Sequence, residues 1–534
     1  MERRSTGSGG TANALIAGSI AILAANIALT APTVITGKIQ LSLHATGADL
    51  SWYSALYGTA AALSSIFFAS LGDRWGRKRV LLSGFALLLI GSIVSGTAPS
   101  PHLLWVGQTI AGFGGGALYT LSLTIIVSAT TTTAESRARG IAVWAVLLGV
   151  GTSLGTLISG GIVQDGSWRL SYVALGAIAL IGGLIVVAVA PESKASVRRS
   201  FDAVGQILIA LTLLAVCYAS IEGSSAEWTD GKVIGGYVIG AVLLAAFIAQ
   251  QATSKREEPL MRLSLFRSSA FSSGAVMAVL GFASFLGLIY LVSLWLAVAD
   301  RLSPWQVAYW MMPNSIIVIL LYPVIRRLLP TVSSRWLLGI GTLPLAAAEL
   351  WLAYLPVKLS FGDLIGPIIL VGIGFAFLVN SITAAMVNSV PYSDSSMAAG
   401  IADLLSLLGR DLGIAVFGSI AFSAALSNFT AQIPALHLAP QAAGMVNGVA
   451  AGGGVMAVAS APLPVPNTVP TAASAALVHG FHVGLVVSAI VLIVAAVACL
   501  LFLRDNPSRL IVEGEDADLA AVGSAGPTAA IDNG

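Results

Sequence analysis

Fourteen apolar runs of about 20 residues, nearly free of charge, constrain this chain more than any other feature. An α-helix of that length is about 30 Å long, which equals the hydrocarbon thickness of a bilayer. Of the 534 residues 9% are charged, against about 25% in soluble domains. The sequence therefore predicts an all-α integral membrane protein with fourteen transmembrane helices. The predicted spans are 12–35, 50–71, 80–98, 103–127, 139–163, 170–190, 204–222, 233–252, 270–295, 304–325, 336–354, 364–388, 397–424 and 479–503.

Lys and Arg residues are distributed unequally between the two sides that these spans define. Twenty of the 26 fall in the termini and in the connections on the same side, five fall on the other side, and one lies within a span. Because cytoplasmic loops are the ones enriched in Lys and Arg, we expect a multi-pass protein of the cell (inner) membrane with both termini cytoplasmic. The net charge of +2 indicates no nucleic-acid partner.

The chain carries no recognisable phosphate-binding loop, nucleotide signature or catalytic triad. Its two cysteines, Cys217 and Cys499, lie inside apolar runs, which favours neither a disulfide framework nor a thiolate metal site. We therefore predict that the protein is not an enzyme and has no metal and no cofactor.

Two basic, polar connections divide the spans into groups of six, two and six. They predict an N-terminal six-helix bundle (1–190), a linker with two transmembrane helices (191–269), a C-terminal six-helix bundle (270–503) and a cytoplasmic tail (504–534). Segment 425–478 within the second bundle has no Lys, Arg, Asp or Glu, and we expect an irregular outer loop there.

A charged turn between the second and third spans carries the most specific motif. Residues 69–79 read Ala-Ser-Leu-Gly-Asp-Arg-Trp-Gly-Arg-Lys-Arg, with a glycine suited to a tight reversal. This turn resembles the loop that marks the major facilitator superfamily, and the six-two-six layout is similar to its fourteen-span drug:proton antiporter family. The plain alternative is a positively charged anchor. The resemblance implies two helix bundles with a substrate site between them near the bilayer midplane. It also implies a conformational latch formed by Asp73, Arg74, Gly76, Arg77 and Lys78.

The fifth span is rich in small residues, which let another helix backbone approach closely. It resembles the antiporter motif of the family, although Thr156 stands where the motif has proline and Ser159 where it has glycine. The expected helix-packing residues are Gly151, Gly155, Thr156 and Gly160. Packing without any part in antiport is the alternative.

Two ionisable residues of the family's first half are absent. Gln108 lies where the fourth span should carry an Arg motif, and Leu23 stands where the first span should carry Asp. Ionisable groups inside a span are costly and usually functional, so replacements for proton coupling are expected elsewhere. The candidates are Asp403, Arg410 and Asp411 in the thirteenth span and Glu349 in the eleventh. Alternatively, the first three form a static network, and Glu349 reaches water at the nearby outer surface.

Polar and aromatic residues within other spans are candidates for lining a substrate cavity. They are Asn26, Gln108, Tyr290, Trp310 and Asn380. The alternatives are a hydrogen bond to a neighbouring helix for the amides and packing or lipid contact for the aromatic rings.

Together these features and the resemblance predict a multidrug or antibiotic exporter that moves amphipathic small molecules by alternating access within membrane lipid. The resemblance implies that it exchanges them for protons. One alternative is a transporter of lipids or long-chain amphiphiles with weak or no proton coupling. Another is a transporter-like ligand sensor or scaffold, which would tolerate loss of Asp73.

Overall fold

The computed structural model describes residues 8–129, 134–164, 166–192, 202–223, 229–253, 261–329, 331–390, 395–460 and 464–503. For some residues within these ranges, among them Asp73, Asp403 and Asp411, the description stops at the backbone.

Seven helices form the first half of the molecule. Pro32 follows the first helix, and the chain continues there as a short 3-10 helix, Ala31–Val34. Thr46 and Asp49 start the third helix by exchanging hydrogen bonds in a capping box. The seven helices are α1 (Ser8–Thr30), α2 (Thr36–Leu43), α3 (Gly47–Trp75), α4 (Arg77–Thr97), α5 (Pro101–Ala129), α6 (Ala134–Val163) and α7 (Arg169–Val189).

Two helices, α8 (Ala203–Glu222) and α9 (Gly231–Thr253), connect the halves. Helix α8 packs against α3 of the first half and against the helix 395–432 of the second half, whereas α9 packs mainly against α8. The outward face of α9 exposes large apolar side chains, including Ile239 and Val242. This pair therefore lies at the edge of the molecule, where that face meets lipid.

The second half contains eight further helices and a π-helix at Trp295–Ala299. The helices are α10 (Ser269–Leu294), α11 (Pro304–Leu328), α12 (Ser334–Gly339), α13 (Leu343–Leu352), α14 (Phe361–Asn388), α15 (Ser395–Gln432), α16 (Pro440–Ser460) and α17 (Thr468–Phe502).

The all-helical fold is confirmed, and thirteen of the fourteen predicted spans each fall mainly on one described helix. Eleven of the described helices are long and apolar enough to cross a membrane. The remaining predicted spans fall on α3, on α6 and on the pair α12–α13, which a turn at 340–342 interrupts. Pro344 lacks the backbone N–H group that a continuous helix would use, so the break has a local cause. The count of fourteen crossings stays a prediction.

The prediction of an irregular loop at 425–478 is wrong. Helix α15 continues to Gln432, α16 occupies 440–460, and α17 begins at Thr468. Alanine is the strongest helix former, and its abundance here outweighs the scattered glycines. Helix α16 packs on α15 and α17, with Val446 and Met456 buried. Gly454, at φ +69°, interrupts its regular geometry.

The two halves meet along α3 with α15 and along α6 with α11. We call the end of the molecule where α1 begins and α17 finishes the terminal end, and the opposite end the far end. The chain reaches the far end where α6 finishes and again where α11 begins. A cavity lies between the halves.

Candidate functional site

The space between the halves measures about 630 Å³, a volume that includes space open to solvent. Helices α1 and α6 supply one wall, and α10, α11, α14 and α15 supply the other. Of the fourteen lining residues that the structure describes, seven are polar and seven are apolar. They are Leu29, Thr30, Thr33, Leu148, Thr152, Thr156, Phe285, Leu286, Ile289, Met311, Asn314, Ser315, Phe375 and Arg410.

Arg410 on α15 contributes the one charged side chain among the described lining residues. The residue is 5% exposed, and its guanidinium carbon lies 4.9 Å from the ring centroid of Phe282. Its Nε atom has no hydrogen-bond partner in the described part of the chain. The sequence singled out Arg410 for proton coupling, and the structure places it at the cavity.

Aromatic rings form the wall beside Arg410. Phe285 and Phe375 stack with ring centroids 3.5 Å apart and an interplanar angle of 8°. Phe282 meets Phe375 edge to face at 5.6 Å. These contacts join α10 to α14 and give the cavity a rigid apolar surface.

The opposite wall presents hydroxyl oxygens. Thr30 Oγ1 lies 3.0 Å from the carbonyl oxygen of Asn26 and 2.9 Å from that of Thr152. The Thr152 hydroxyl donates to the Leu148 carbonyl oxygen at 2.9 Å. Because backbone carbonyls use these hydroxyl protons, the free lone pairs can accept hydrogen bonds from a ligand.

Asn314 on α11 adds an amide to the cavity. It is 6% exposed, and its Oδ1 atom has no hydrogen-bond partner among the described residues. A buried amide oxygen without a partner costs free energy until a ligand or water donates to it. The site therefore offers one cation and one unpaired acceptor.

Two contacts close the molecule at the far end. A Cβ atom at Gly160 would lie 2.6 Å from the carbonyl oxygen of Pro304, so α6 and α11 approach each other more closely than any other residue permits. The Tyr290 hydroxyl lies 3.4 Å from the Ser51 hydroxyl and links α10 to α3. Tyr290, a predicted cavity residue, thus lies at this contact and is not among the lining residues.

Two other small residues of α6 lie against α1. A Cβ atom at Gly151 would be 2.9 Å from Cβ of Asn26, and one at Gly155 would be 2.7 Å from the carbonyl oxygen of Ile27. Thr156 differs from these residues because it lines the cavity. Helix α6 therefore contacts its own half with one group of glycines and the other half with Gly160.

Four other residues predicted to line a substrate cavity are not among the described lining residues of this cavity, and their role in substrate binding stays a prediction. Asn26 donates to Ile22 O and Asn380 to Ala376 O, both one turn back in the same helix. Gln108 donates to the Tyr172 hydroxyl at 2.7 Å, inside the first half. The Trp310 ring packs at 5.9 Å from Phe361. Gln108 matches the alternative of a hydrogen bond to a neighbouring helix and Trp310 matches that of packing, whereas the amide groups of Asn26 and Asn380 donate within their own helices.

Glu349 on α13 is fully buried in the second half. Its Oε1 atom accepts a hydrogen bond of 2.6 Å from the Ser488 hydroxyl on α17, and its Oε2 atom has no partner among the described residues. The alternative that Glu349 reaches water is wrong, because its exposure is 0%. The side chains of Asp403 and Asp411 fall outside the described atoms, so their predicted roles stay predictions.

The charged turn joins α3 to α4 through Gly76 at φ +107°. Arg77 lies 3.5 Å from the Thr124 carbonyl oxygen and Lys78 donates to the Val187 carbonyl oxygen at 2.8 Å. Both contacts stay within the first half. Arg74 is exposed, and the side chain of Asp73 falls outside the described atoms.

Glu192, at the end of α7, is a residue of this turn that the sequence did not single out. Its carboxylate lies over Gly76 and 3.8 Å from Nε of Arg79. No spacing in the sequence brings residue 192 to the turn, because the contact depends on how α7 packs against α4.

Gly76→Ala is expected to destabilise the protein and to lower transport. An alanine at φ +107° is strained by about 1–3 kcal/mol, and its Cβ atom would lie 2.8 Å from the carboxyl carbon of Glu192. A thermal unfolding scan of purified protein in detergent measures the effect as a lowered Tm. Gly231→Ala is the control, since nothing lies within 4 Å of a Cβ atom there. An equal Tm for both variants would contradict the prediction.

The cavity residues that the sequence did not indicate are mainly apolar. Phe285, Phe375 and Met311 look like any other apolar residue of a span. Asn314 carried a usable signal, because it is a polar residue next to Pro313 within a span. In the described part of the chain no group of three or more His, Cys, Asp or Glu residues could hold a metal ion.

Comparisons with known proteins agree with this architecture. A family model described as Major Facilitator Superfamily matches residues 16–414. The Multidrug resistance protein Stp of Mycobacterium tuberculosis is 30% identical over 383 residues, which are 72% of this chain and 70% of that protein. The Tetracenomycin C resistance and export protein of Streptomyces glaucescens is 26% identical over 504 residues, 93% of this chain and 92% of that protein.

Among solved structures, a bacterial homologue of the human lysosomal transporter Spinster, in an inward-facing and unoccupied conformation, shares the fold. It has a TM-score of 0.64 at 17% identity and covers 95% of this chain and 98% of its own. The family model spans well over half of the sequence, and the mycobacterial relative spans more than two thirds of it. The chain therefore belongs to the major facilitator superfamily and is a multi-pass membrane transporter, not an enzyme.

Proposed function

We propose that this transporter exports amphipathic organic compounds, antibiotics among them, from the cytoplasm across the cell membrane in exchange for protons. The observation that carries the proposal is the cavity between the halves, where Arg410 and a stacked pair of phenylalanine rings lie on one wall and hydroxyl oxygens lie on the opposite wall. A compound with one polar and one aromatic part fits such a lining. The names of the relatives support drug and antibiotic export.

The proposed orientation places both termini in the cytoplasm. The excess of Lys and Arg in the connections on the terminal side supports it. The far end, which Gly160 and Tyr290 help to close, would then be the outer face. An exporter needs this closed state in order to load its cavity from the cytoplasm before the halves rock.

The proposed proton carriers are Glu349, Asp403 and Asp411. The contacts of Glu349 support its inclusion, since a fully buried carboxyl group with one unpaired oxygen is costly and rarely serves packing alone. It lies apart from the cavity lining, so protons and substrate would use separate groups.

Efflux from proteoliposomes tests the function, with and without an imposed proton gradient. We expect gradient-dependent transport of amphiphilic probes in the native protein and transport at the level of empty liposomes in Asp73→Asn, because the predicted latch loses its carboxylate. Asp230→Asn, an exposed change at the start of α9, is the matched control.

Three other outcomes distinguish the alternatives. Transport that ignores the gradient would favour a carrier of lipids or long-chain amphiphiles without coupling. Binding without transport would favour a sensor or scaffold. Full activity in Asp73→Asn would contradict the latch.

A further inference from the structure

Arg410 is a buried cation for which the described residues offer no anion. It is 5% exposed, its Nε atom has no hydrogen-bond partner among the described residues, and its guanidinium group lies over the face of Phe282. A cation–π contact replaces only part of the hydration that burial removes. An arginine in this state is stabilised when an anion reaches it.

The position of Arg410 makes a ligand the available source of that anion. The other thirteen described residues of the cavity lining are uncharged, so Arg410 gives this part of the lining a positive charge. A cationic ligand would meet a like charge in a medium of low dielectric constant, where charges interact more strongly than in water. The planar guanidinium fork instead matches a carboxylate, which it can bind through two hydrogen bonds.

The surroundings of Arg410 restrict the ligand further. The stacked rings of Phe285 and Phe375 offer an apolar surface to an aromatic ring. The Oδ1 atom of Asn314 on α11, which has no partner among the described residues, can accept a hydrogen bond from a hydroxyl or N–H group of a ligand in the same cavity. The preferred compound therefore carries an anion, an aromatic body and a donor group.

We infer that the cavity selects amphipathic organic anions, such as aromatic carboxylates or phenolates, by binding their negative group on Arg410. The inference rests on the export function proposed above and names the substrate class of the same site. The competing explanation is that Arg410 only stabilises the packing of α15 against α10 through its contact with Phe282. Measurements of stability distinguish this structural role from anion binding.

A set of three probes with one aromatic body tests the inference. Pyrenebutyrate, pyrenebutanol and pyrenebutylamine differ in charge at a single group. Their binding to the full-length protein in liposomes is followed by the change in pyrene fluorescence on titration. The variants are Arg410→Gln, which removes the charge, and Arg410→Lys, which keeps the charge but loses the planar fork. Arg327→Gln is the matched control, because Arg327 is exposed at the end of α11.

The native protein should bind the butyrate most tightly. Arg410→Gln should weaken butyrate binding by about tenfold or more, the usual effect of losing a hydrogen bond to a charged group. The same variant should leave the alcohol nearly unchanged and strengthen binding of the amine. Arg410→Lys should keep part of the preference for the anion, and Arg327→Gln should keep all of it.

Equal affinities of the native protein for the three probes would overturn the inference, as would unchanged butyrate binding in Arg410→Gln. A lowered Tm of Arg410→Gln with equal loss of all three probes would overturn it too, in favour of the fastening role. Transport of the alcohol and amine without preference for the anion would refute the inference while the export proposal stands. Failure to transport any probe would instead refute the export proposal.

Discussion

Gly160→Val is expected to abolish transport while leaving the protein folded. A Cβ atom at this position would lie 2.6 Å from the carbonyl oxygen of Pro304 and 3.0 Å from Cβ of Ala308, and both belong to the opposite half. A backbone carbonyl cannot rotate away as a long side chain can. Helices α6 and α11 must therefore separate at the far end, which prevents the cavity from closing there and stops the cycle.

Two measurements check this expectation. Efflux from proteoliposomes should fall to the level of empty liposomes. In addition, a thiol introduced by Ser51→Cys should react faster with a membrane-impermeant maleimide in the Gly160→Val background, because Ser51 is fully buried when the far end is closed. Both native cysteines are buried, so they should contribute little background.

The neighbouring glycine supplies the control. Gly161 is exposed, and a Cβ atom there would only touch the ring of Trp305 at 3.4 Å. We expect Gly161→Val to transport at nearly the native rate. Native transport by Gly160→Val, or unchanged labelling of the introduced thiol, would show that the close contact is not needed for the cycle.

Glu349→Gln is expected to remove the effect of the proton gradient on transport. The amide has nearly the shape of the carboxyl group and can keep the hydrogen bond with Ser488, so α13 and α17 should stay packed. It cannot gain or lose a proton under these conditions. If Glu349 is the carrier, the gradient no longer drives export, whereas exchange of substrate down its own gradient continues.

Counterflow and gradient-driven efflux, measured side by side, separate these two activities. Asp300→Asn is the matched control. Asp300 lies beyond the end of α10, and its Oδ1 atom accepts a hydrogen bond from the Leu359 N–H group, which an asparagine side chain can also accept. Burial raises the pKa of Asp300, so the control also tests a perturbed carboxyl group outside the spans. A native gradient response in Glu349→Gln would leave Asp403 and Asp411 as the predicted carriers.

The sequence predicted the helices well because the bilayer imposes one requirement on every span. A run of apolar residues long enough to cross must be helical, since lipid offers no hydrogen bonds to the backbone. This rule gave no prediction of a helix at 425–478, because the weak hydrophobicity and many glycines of that segment are typical of a loop. There, α16 forms because alanine-rich sequence folds against α15 and α17.

The turn was predictable because its geometry depends on neighbouring residues. Only glycine adopts φ +107° without strain, and Gly76 lies where the motif requires a reversal. The contact of Glu192 with the same turn was not predictable, because 116 residues separate it from Gly76 and helix packing alone brings them together.

The cavity was predicted only in part. Arg410 stood out because charge within a span is rare, yet its role depends on which way α15 faces. Asn26 and Gln108 appeared equally suitable as cavity-lining residues. Most residues on every side of their helices are apolar, so the sequence does not indicate which side faces the cavity. Phe285 and Phe375 carry no signal that distinguishes a cavity wall from a packed interior.

The position of α8 between α3 and α15 constrains the motion of the whole protein. It contacts one helix from each half, and in the proposed cycle these two helices would move relative to each other. Helix α8 therefore slides against at least one of them in every cycle, and α9, attached mainly to α8, moves with it through the surrounding lipid. In the proposed cycle, the viscosity and thickness of the bilayer would therefore slow turnover by resisting the movement of α8 and α9. This resistance would arise far from the cavity where the substrate binds.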